Sequence, residues 1–385
     1  MQINSDLHVH SKYSMATSKS MQPDIMAKES EKKGLDLIAT GDALHSKWLG
    51  ELEDNLTQID DTGIYQLKDE TSNTKFITTT EVEDNQRIHH LILIPSIETA
   101  WQMRDEFIVK NMDADGRPKI RMRGTEIMDI ARDYNCIIGP AHIFTPWTGI
   151  YKSYDRISDC YDNRMADFVE LGLSSDTYLA DRIDELKNYT FLTNSDSHSP
   201  WPHRMGREFN TMEIKNLSFE DVRTSIKDND IIKNYGFDPR MGKYHETGCI
   251  DCYKIFNIHD AQKLNMKCDV CGGVIKKGVK GRIEELATSD VPIHPEDRPE
   301  YRYILPLAEL LSSIHNKGVM TKYVQSRYER LIELFKTEID ILLNVELDKI
   351  EHVDMLLANA LKSYRNNTLN VTPGRGGLYG KVVYD

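Results

Sequence analysis

The sequence predicts an α/β fold in which short buried strands alternate with helices, followed by a cysteine-rich element and a helical C-terminal part. Three observations predict it. Short apolar runs are separated by polar amphipathic stretches, the pattern of buried parallel strands with covering helices. An acid or a histidine stands at the end of run after run. Two Cys-x-x-Cys pairs then interrupt the pattern, and helical spacing replaces it towards the C-terminus.

The first strand leads into Asp6-Leu7-His8-Val9-His10-Ser11. In extended chain residues two apart share a face, so His8 and His10 offer both imidazoles to one metal ion or cluster. Asp42 and His45 follow Leu35-Asp36-Leu37-Ile38-Ala39-Thr40, Glu81 follows Phe76-Ile77-Thr78-Thr79-Thr80, and His89-His90 precedes Leu91-Ile92-Leu93-Ile94. His142 closes Cys136-Ile137-Ile138-Gly139-Pro140-Ala141, and Asp196 and His198 follow Thr190-Phe191-Leu192-Thr193. In a β/α barrel such strand ends converge on one mouth. Histidines and carboxylates suit Zn, Mn, Fe or Mg, and this many donors exceed one four-coordinate zinc, implying two or three ions.

With 385 residues the chain is expected to form two or three domains. No apolar run is long enough to span a bilayer, and the N-terminus lacks a signal-like block, so a cytoplasmic location without membrane association is expected. The net charge of −13 speaks against a uniformly basic nucleic-acid-binding surface. Locally the balance reverses: from Gln262 to Arg282 six basic residues, including Lys276, Lys277 and Lys280, meet one acid, Asp269.

Cys249-x-x-Cys252 and Cys268-x-x-Cys271, fifteen residues apart, have the spacing of a closed four-thiolate structural zinc site. Cys136 and Cys160 carry no spacing signal and are expected to be buried packing residues. A proline-rich connector, Val291 to Pro299, precedes an amphipathic helix marked by Val324, Tyr328, Leu331, Phe335, Ile339 and Leu342, and a second marked by Leu347, Ile350, Leu357 and Leu361. The run Pro373-Gly374-Arg375-Gly376-Gly377-Leu378-Tyr379-Gly380-Lys381 lets amides and cations approach a phosphate. The expected division is 1–240 for the catalytic barrel, 241–290 for the zinc element, and 291–385 for the helical part with its Gly-rich basic tail.

The motifs of the N-terminal 210 residues resemble the polymerase and histidinol phosphatase (PHP) phosphoesterase superfamily. That resemblance implies a distorted seven-stranded β/α barrel with a trinuclear site whose ligands match His8, His10, Asp42, His45, Glu81, His90, His142, Asp196 and His198. Either Asp42 or His45 fills one position, and His90 is favoured over His89 because it directly precedes the apolar run. The order of barrel, four-cysteine element, helices and Pro-Gly-x-x-Gly-x-Tyr-Gly-Lys tail resembles the endonuclease Q family across nearly the whole chain. Further matching stretches are Ala141-His142-Ile143-Phe144-Thr145-Pro146-Trp147, Asn194-Ser195-Asp196-Ser197-His198 and His203-Arg204-Met205-Gly206-Arg207.

This resemblance implies hydrolysis of the DNA backbone 5′ to uracil, hypoxanthine or xanthine and at abasic sites. His8, His10, Asp196 and His198 are then the catalytic centre, with Arg204 and Arg207 clamping a phosphate and His203 a candidate proton donor. Trp147, Tyr151 and Trp201 flank the ligand loops and are expected to stack on bases; Lys276, Lys277, Lys280, Arg375 and Lys381 are expected to meet the DNA backbone. The competing expectation is a phosphatase acting on a small phosphomonoester.

Overall fold

The computed structural model describes residues 1–366 and 370–383. Its scaffold is an eight-stranded sheet in which the first strand, Gln2–Asp6, lies between Leu37–Ala39, parallel to it, and Phe209–Glu213, antiparallel to it. Lys75–Ile77 continues the parallel run beyond Leu37–Ala39. Leu37, Ile38 and Ala39 are fully buried, which is why this strand is apolar throughout instead of alternating. A separate three-stranded antiparallel sheet holds Thr79–Glu83, His89–Leu93 and Ile137–Pro140, and Val169–Glu170 pairs in parallel with Phe191–Leu192.

Where these ladders stop, side-chain amides take over. Asn210 accepts from Thr193 N (2.8 Å) and donates to Thr193 O (2.9 Å), while Asn234 Nδ2 donates to Phe191 O (2.9 Å). Asn194 accepts from Leu7 N (2.9 Å) and donates to Glu170 Oε1 (2.8 Å). These bonds join Phe191–Leu192 to the large sheet without a backbone ladder. Buried amides need such partners, and of these three only Asn234 Oδ1 lacks one among the described residues.

The C-terminal part departs from the expected pattern in three places, one being that the helix expected over Leu347, Ile350, Leu357 and Leu361 is two, Leu347–Glu351 and Met355–Arg365, the second capped by Asp354. The strand Glu300–Tyr303 pairs in parallel with Ile231–Gly236, so the main sheet takes its edge strand from within the stretch expected to be helical. The single helix expected from Val324 to Leu342 is two, Lys322–Phe335 and Glu338–Leu343. Lys336 stands at φ 75°, and the Thr337 hydroxyl accepts from Asp340 N, capping the second helix. The apolar periodicity survives the break because Ile339 and Leu342 still turn inward.

In place of the expected seven-stranded barrel, the described strands form the eight-stranded sheet and the smaller sheets beside it, and one apolar core runs from Val9 and Ile38 through Leu307, Leu331 and Leu361, so the C-terminal helices pack on this α/β part. At their junction Lys33, 1% exposed, donates to Glu338 Oε1 (2.7 Å) and to Pro202 O (2.9 Å), and Glu338 also accepts from Leu307 N. The connector is anchored too: Arg298 pairs with buried Asp181 and lies 3.6 Å from the Phe191 ring centre. Among the described residues no helix is long and apolar enough to cross a membrane.

Breaking the buried pair singly, in Lys33→Met or Glu338→Gln, leaves a polar group unpaired and is expected to cost about 3–5 kcal/mol in urea unfolding. The double variant Lys33→Met with Glu338→Leu is expected to recover most of that loss.

Candidate metal centre

The loop after Gln2–Asp6 and the loop after Phe191–Leu192 are held side by side. Val9 bridges Ser197, and His10 N donates to Ser197 O (2.9 Å). Beneath them buried Asp6 accepts from Ser195 N (3.0 Å) and Gly206 N (3.1 Å). Burial pushes its carboxyl up to about 6 despite those hydrogen bonds. Asp6 is therefore a structural tie between the His8–His10 loop and the Asp196–His198 loop.

Glu81 sits at the meeting point. Its Oε1 lies 2.8 Å from His89 Nδ1, 3.0 Å from His142 Nε2 and 3.7 Å from His8 Nε2, and its Oε2 lies 3.3 Å from His10 Nε2. Burial would raise this carboxyl, but His89, His8, His10 and His142 together hold it well below the usual range. Asp196 Oδ1 lies 3.1 Å from His10 Nε2, 3.8 Å from His8 Nε2 and 3.6 Å from His198 Nδ1. Three overlapping triads result: His8, His10, Glu81; His10, Asp196, His198; and Glu81, His89, His142.

His8 Nε2, His10 Nε2 and Asp196 Oδ1 are buried without a hydrogen-bond partner among the described residues. Orphaned lone pairs of imidazole and carboxylate converging at such distances fit divalent cations. The other nitrogens are fixed from outside: His10 Nδ1 by Asp42 Oδ1 (2.9 Å), and His8 Nδ1 by both oxygens of Glu170 (3.0 Å each). Such outer carboxylates set the imidazole tautomer and raise ligand basicity.

Several expected ligands lie elsewhere. Asp42 spends its second oxygen on Ser11 N (2.6 Å), Ser11 Oγ (2.6 Å) and Ser14 Oγ (2.9 Å), so it orients His10 instead of facing the triads. His45 caps the helix Ser46–Asn55 and stacks on Tyr13 at 4.4 Å, outside every triad. His90 lies outside the three triads, in a separate buried group with Asp84 and Cys160. Successive residues of His89–Leu93 point to opposite faces, so His89 enters the centre while His90 meets Tyr161 Oη (2.7 Å) and Asp84 Oδ2 (3.3 Å).

The backbone is strained where the site is made. Asp42, His142 and Asp196 have φ of 50°, 30° and 46°. Gly41 and Gly172 permit two close approaches: a Cβ would fall 2.1 Å from Val9 O at the first and 2.6 Å from His142 Cβ at the second.

Arg207 Nε donates to Ser195 O (3.0 Å) beside Asp196, and Arg204 is exposed. Burial, Arg204, Lys33 and Arg207 push His203 down to about 4, leaving it neutral near pH 7 and unsuited to donate a proton as an imidazolium. Tyr151 is fully buried, stacked on Phe144 at 4.9 Å with its hydroxyl on Glu185 (2.6 Å), so it cannot meet a base. Trp147 is exposed with the Lys276 ammonium 5.4 Å from its ring centre, and Trp201 is half-buried. Lys277 pairs with Glu285, Lys280 with Glu246, and Arg375 donates to Tyr253 O and Pro373 O; Lys381 is exposed on a short strand.

The four cysteines gather as a second centre. Cys249 and Cys271 sulfurs are 3.5 Å apart, as are those of Cys252 and Cys268. Four sulfurs about 2.3 Å from one zinc would be about 3.7 Å apart, so the cluster fits that ion. The glycine tail is part of this unit. Glu246 N donates to Gly374 O, and a Cβ on Gly376 would lie 2.2 Å from Cys249 O.

Similar proteins agree with this architecture. The family model for the MJ0043 C-terminal domain matches residues 306–368. The uncharacterized protein MJ0043 of Methanocaldococcus jannaschii is 46% identical over 65% of this chain, which spans 32% of that protein's length. The uncharacterized protein YqxK of Bacillus subtilis is 30% identical over 99% of both chains. The crystal structure of the lesion-specific endonuclease PfuEndoQ from Pyrococcus furiosus superposes with a TM-score of 0.94 at 42% identity, covering 99% of this chain and 95% of that one. The chain belongs to the endonuclease Q family. An endonuclease Q complex with a 27-mer duplex substrate, carrying an abasic lesion at the active site, superposes with a TM-score of 0.92 over 100% of this chain and 97% of that one, again at 42% identity.

In this member of the endonuclease Q family, three residues of the centre escape sequence reasoning. Glu170 ends the short run Phe168-Val169 and so obeyed the same strand-end rule as the others. His89 was the unfavoured half of a pair. Arg117, whose Nη1 lies 3.1 Å from Glu81 Oε2, comes from an irregular segment with no motif.

Elemental analysis of purified His89→Ala is expected to show loss of metal from the centre. His90→Ala is expected to keep the metal of the Glu81 centre but lose about 1–3 kcal/mol of stability, because Tyr161 Oη and Asp84 Oδ2 lose their partner.

Proposed function

We propose that the protein is a metal-dependent DNA repair endonuclease that hydrolyses the phosphodiester bond 5′ to uracil, hypoxanthine or xanthine and at abasic sites. The observation that carries this reading is the superposition, over the whole chain, on a relative bound to duplex DNA with an abasic lesion at its active site. The triads around Glu81 supply a matching centre for divalent ions.

Divalent ions held there would supply an activated water near neutral pH and neutralise phosphate oxygens. The protein's own part is positioning. Asp42 and Glu170 hold the outer nitrogens of His10 and His8, which turns both Nε2 atoms inward. Asp6 and the Asn194 amide keep the loops bearing His8 and Asp196 in register. Our reading assigns Arg204 and Arg207, on the loop after His198, to neighbouring backbone phosphates, and exposed Trp147 with Lys276 to a stacking and charged surface.

Reading a deaminated base in a duplex requires taking it out of the stack. A cavity of about 530 Å³, lined by Tyr178, Phe237, Arg240, Tyr303 and Tyr364 among others, is our candidate receptor. It opens beyond the ends of Ile231–Gly236 and Glu300–Tyr303, the end of the sheet at which Asp6 leads to the metal centre. Tyr303 Oη donates to Asp176 Oδ2 (2.8 Å), in the loop that follows Glu170.

Duplexes labelled on one strand and carrying a single uracil, hypoxanthine, xanthine or abasic site test the reading. Wild type is expected to nick them in a chelator-sensitive way, and Asp196→Asn to abolish nicking. Glu170→Gln is expected to lower the rate about 10–100-fold, the usual effect of removing an outer-shell partner. Release of phosphate from small phosphomonoesters with no nicking of any duplex would instead assign a phosphatase.

A further inference from the structure

The chain between the helices Ile97–Met103 and Gly124–Asp133 holds two single 3-10 turns, Arg104–Glu106 and Met112–Ala114, and the part after them is laid over the metal centre. It is tied down on two sides. Gly116 N donates to Tyr13 O (3.1 Å) and Met15 N to Asp115 Oδ1 (3.3 Å), while Glu83 N donates to Pro118 O (3.0 Å) and Ile120 N to Glu83 O (2.7 Å). At Gly116 the approach is so close that a Cβ would lie 2.3 Å from Asp42 Oδ2, the carboxylate group that orients His10. A larger residue there would lift the segment off the site.

The next residue, Arg117, is delivered into the centre by these ties. Its Nη1 lies 3.1 Å from Glu81 Oε2, and its side chain remains 24% exposed. Glu81 is the one hydrogen-bond partner of this guanidinium among the described residues, leaving Nε and Nη2 unused. A guanidinium presents its donors in a rigid planar fork, so one edge can be fixed while another grips a phosphate. Arg204, by contrast, is exposed, and Arg207 commits its Nε to Ser195 O.

We propose that Arg117 binds a non-bridging oxygen of the scissile phosphate and stabilises the charge that grows on it during hydrolysis. In that step the water oxygen bonds to phosphorus as the bond from phosphorus to the 3′ oxygen breaks, and the proton from water ends on that 3′ oxygen. The proposal rests on the phosphodiesterase reading of the centre. Donors fixed before the reaction act without reorganising, which is the source of their effect.

The test uses the full-length, metal-loaded protein and its Arg117→Gln and Arg117→Lys variants. Hydrolysis of bis(p-nitrophenyl) phosphate, bound metal by elemental analysis, and binding of inorganic phosphate by calorimetry are measured together. Arg117→Gln is expected to lower kcat about 100–1000-fold, as for loss of one preorganised donor, with metal content unchanged and phosphate binding weakened. Arg117→Lys, which keeps a cation beside Glu81, is expected to recover only part of the rate. Wild-type hydrolysis by Arg117→Gln, or loss of metal in proportion to loss of activity, would overturn the proposal. If wild type leaves the diester intact, unchanged phosphate binding in Arg117→Gln overturns it and weakened binding supports it. Because the diester carries no lesion, its cleavage without nicking of any lesion duplex would count against the DNA repair reading alone.

Discussion

The centre depends on one buried carboxylate. Glu81 is 1% exposed and lies within reach of four imidazoles and one guanidinium. An isolated carboxylate in that position would be neutralised at a cost of several kcal/mol. It is tolerable only because separate strands deliver their nitrogens to the same point. The need then passes outward, since each of His8 and His10 must be held by its other nitrogen, and Glu170 and Asp42 serve that end. Acid and imidazole thus alternate from the centre to its surroundings, and cations would complete the pattern.

This arrangement explains how far the sequence could be read. An acid or histidine at the end of an apolar run marks Glu81, His142, Asp196 and His198, and the fold brings these four into the triads. That signal could not separate inner from outer partners. Asp42 obeys the same rule but faces the back of His10, and Glu170 ends a run too short to stand out. His89 and His90 differ only in which face of an antiparallel strand they occupy, and register depends on partners distant in sequence. Tyr151 shows the opposite failure: proximity to a ligand loop says nothing of direction, and its ring faces the core. The helix break at Lys336 was masked because an apolar stripe can continue across a capped turn.

The helical part is joined to the chemistry as well as to the core. Lys33, at the end of the helix Pro23–Lys33, touches Glu338 in the C-terminal helices and Pro202 in the segment between His198 and Arg204. One ammonium therefore ties together that helix, the C-terminal helices and the loop that carries the arginines. Packing and site geometry share this contact, and the segment is held although it has no regular secondary structure.

The glycine-rich tail has a consequence for how the chain is made. Its backbone pairs with Glu246 and lies against Cys249 and Tyr253, so the cysteine knuckle is flanked by residues more than a hundred positions further along. During synthesis, all four thiolates emerge well before the segment that covers them. One side of the cysteine cluster therefore stays bare until residue 376 has left the ribosome. The tail is the last part of this unit to be made.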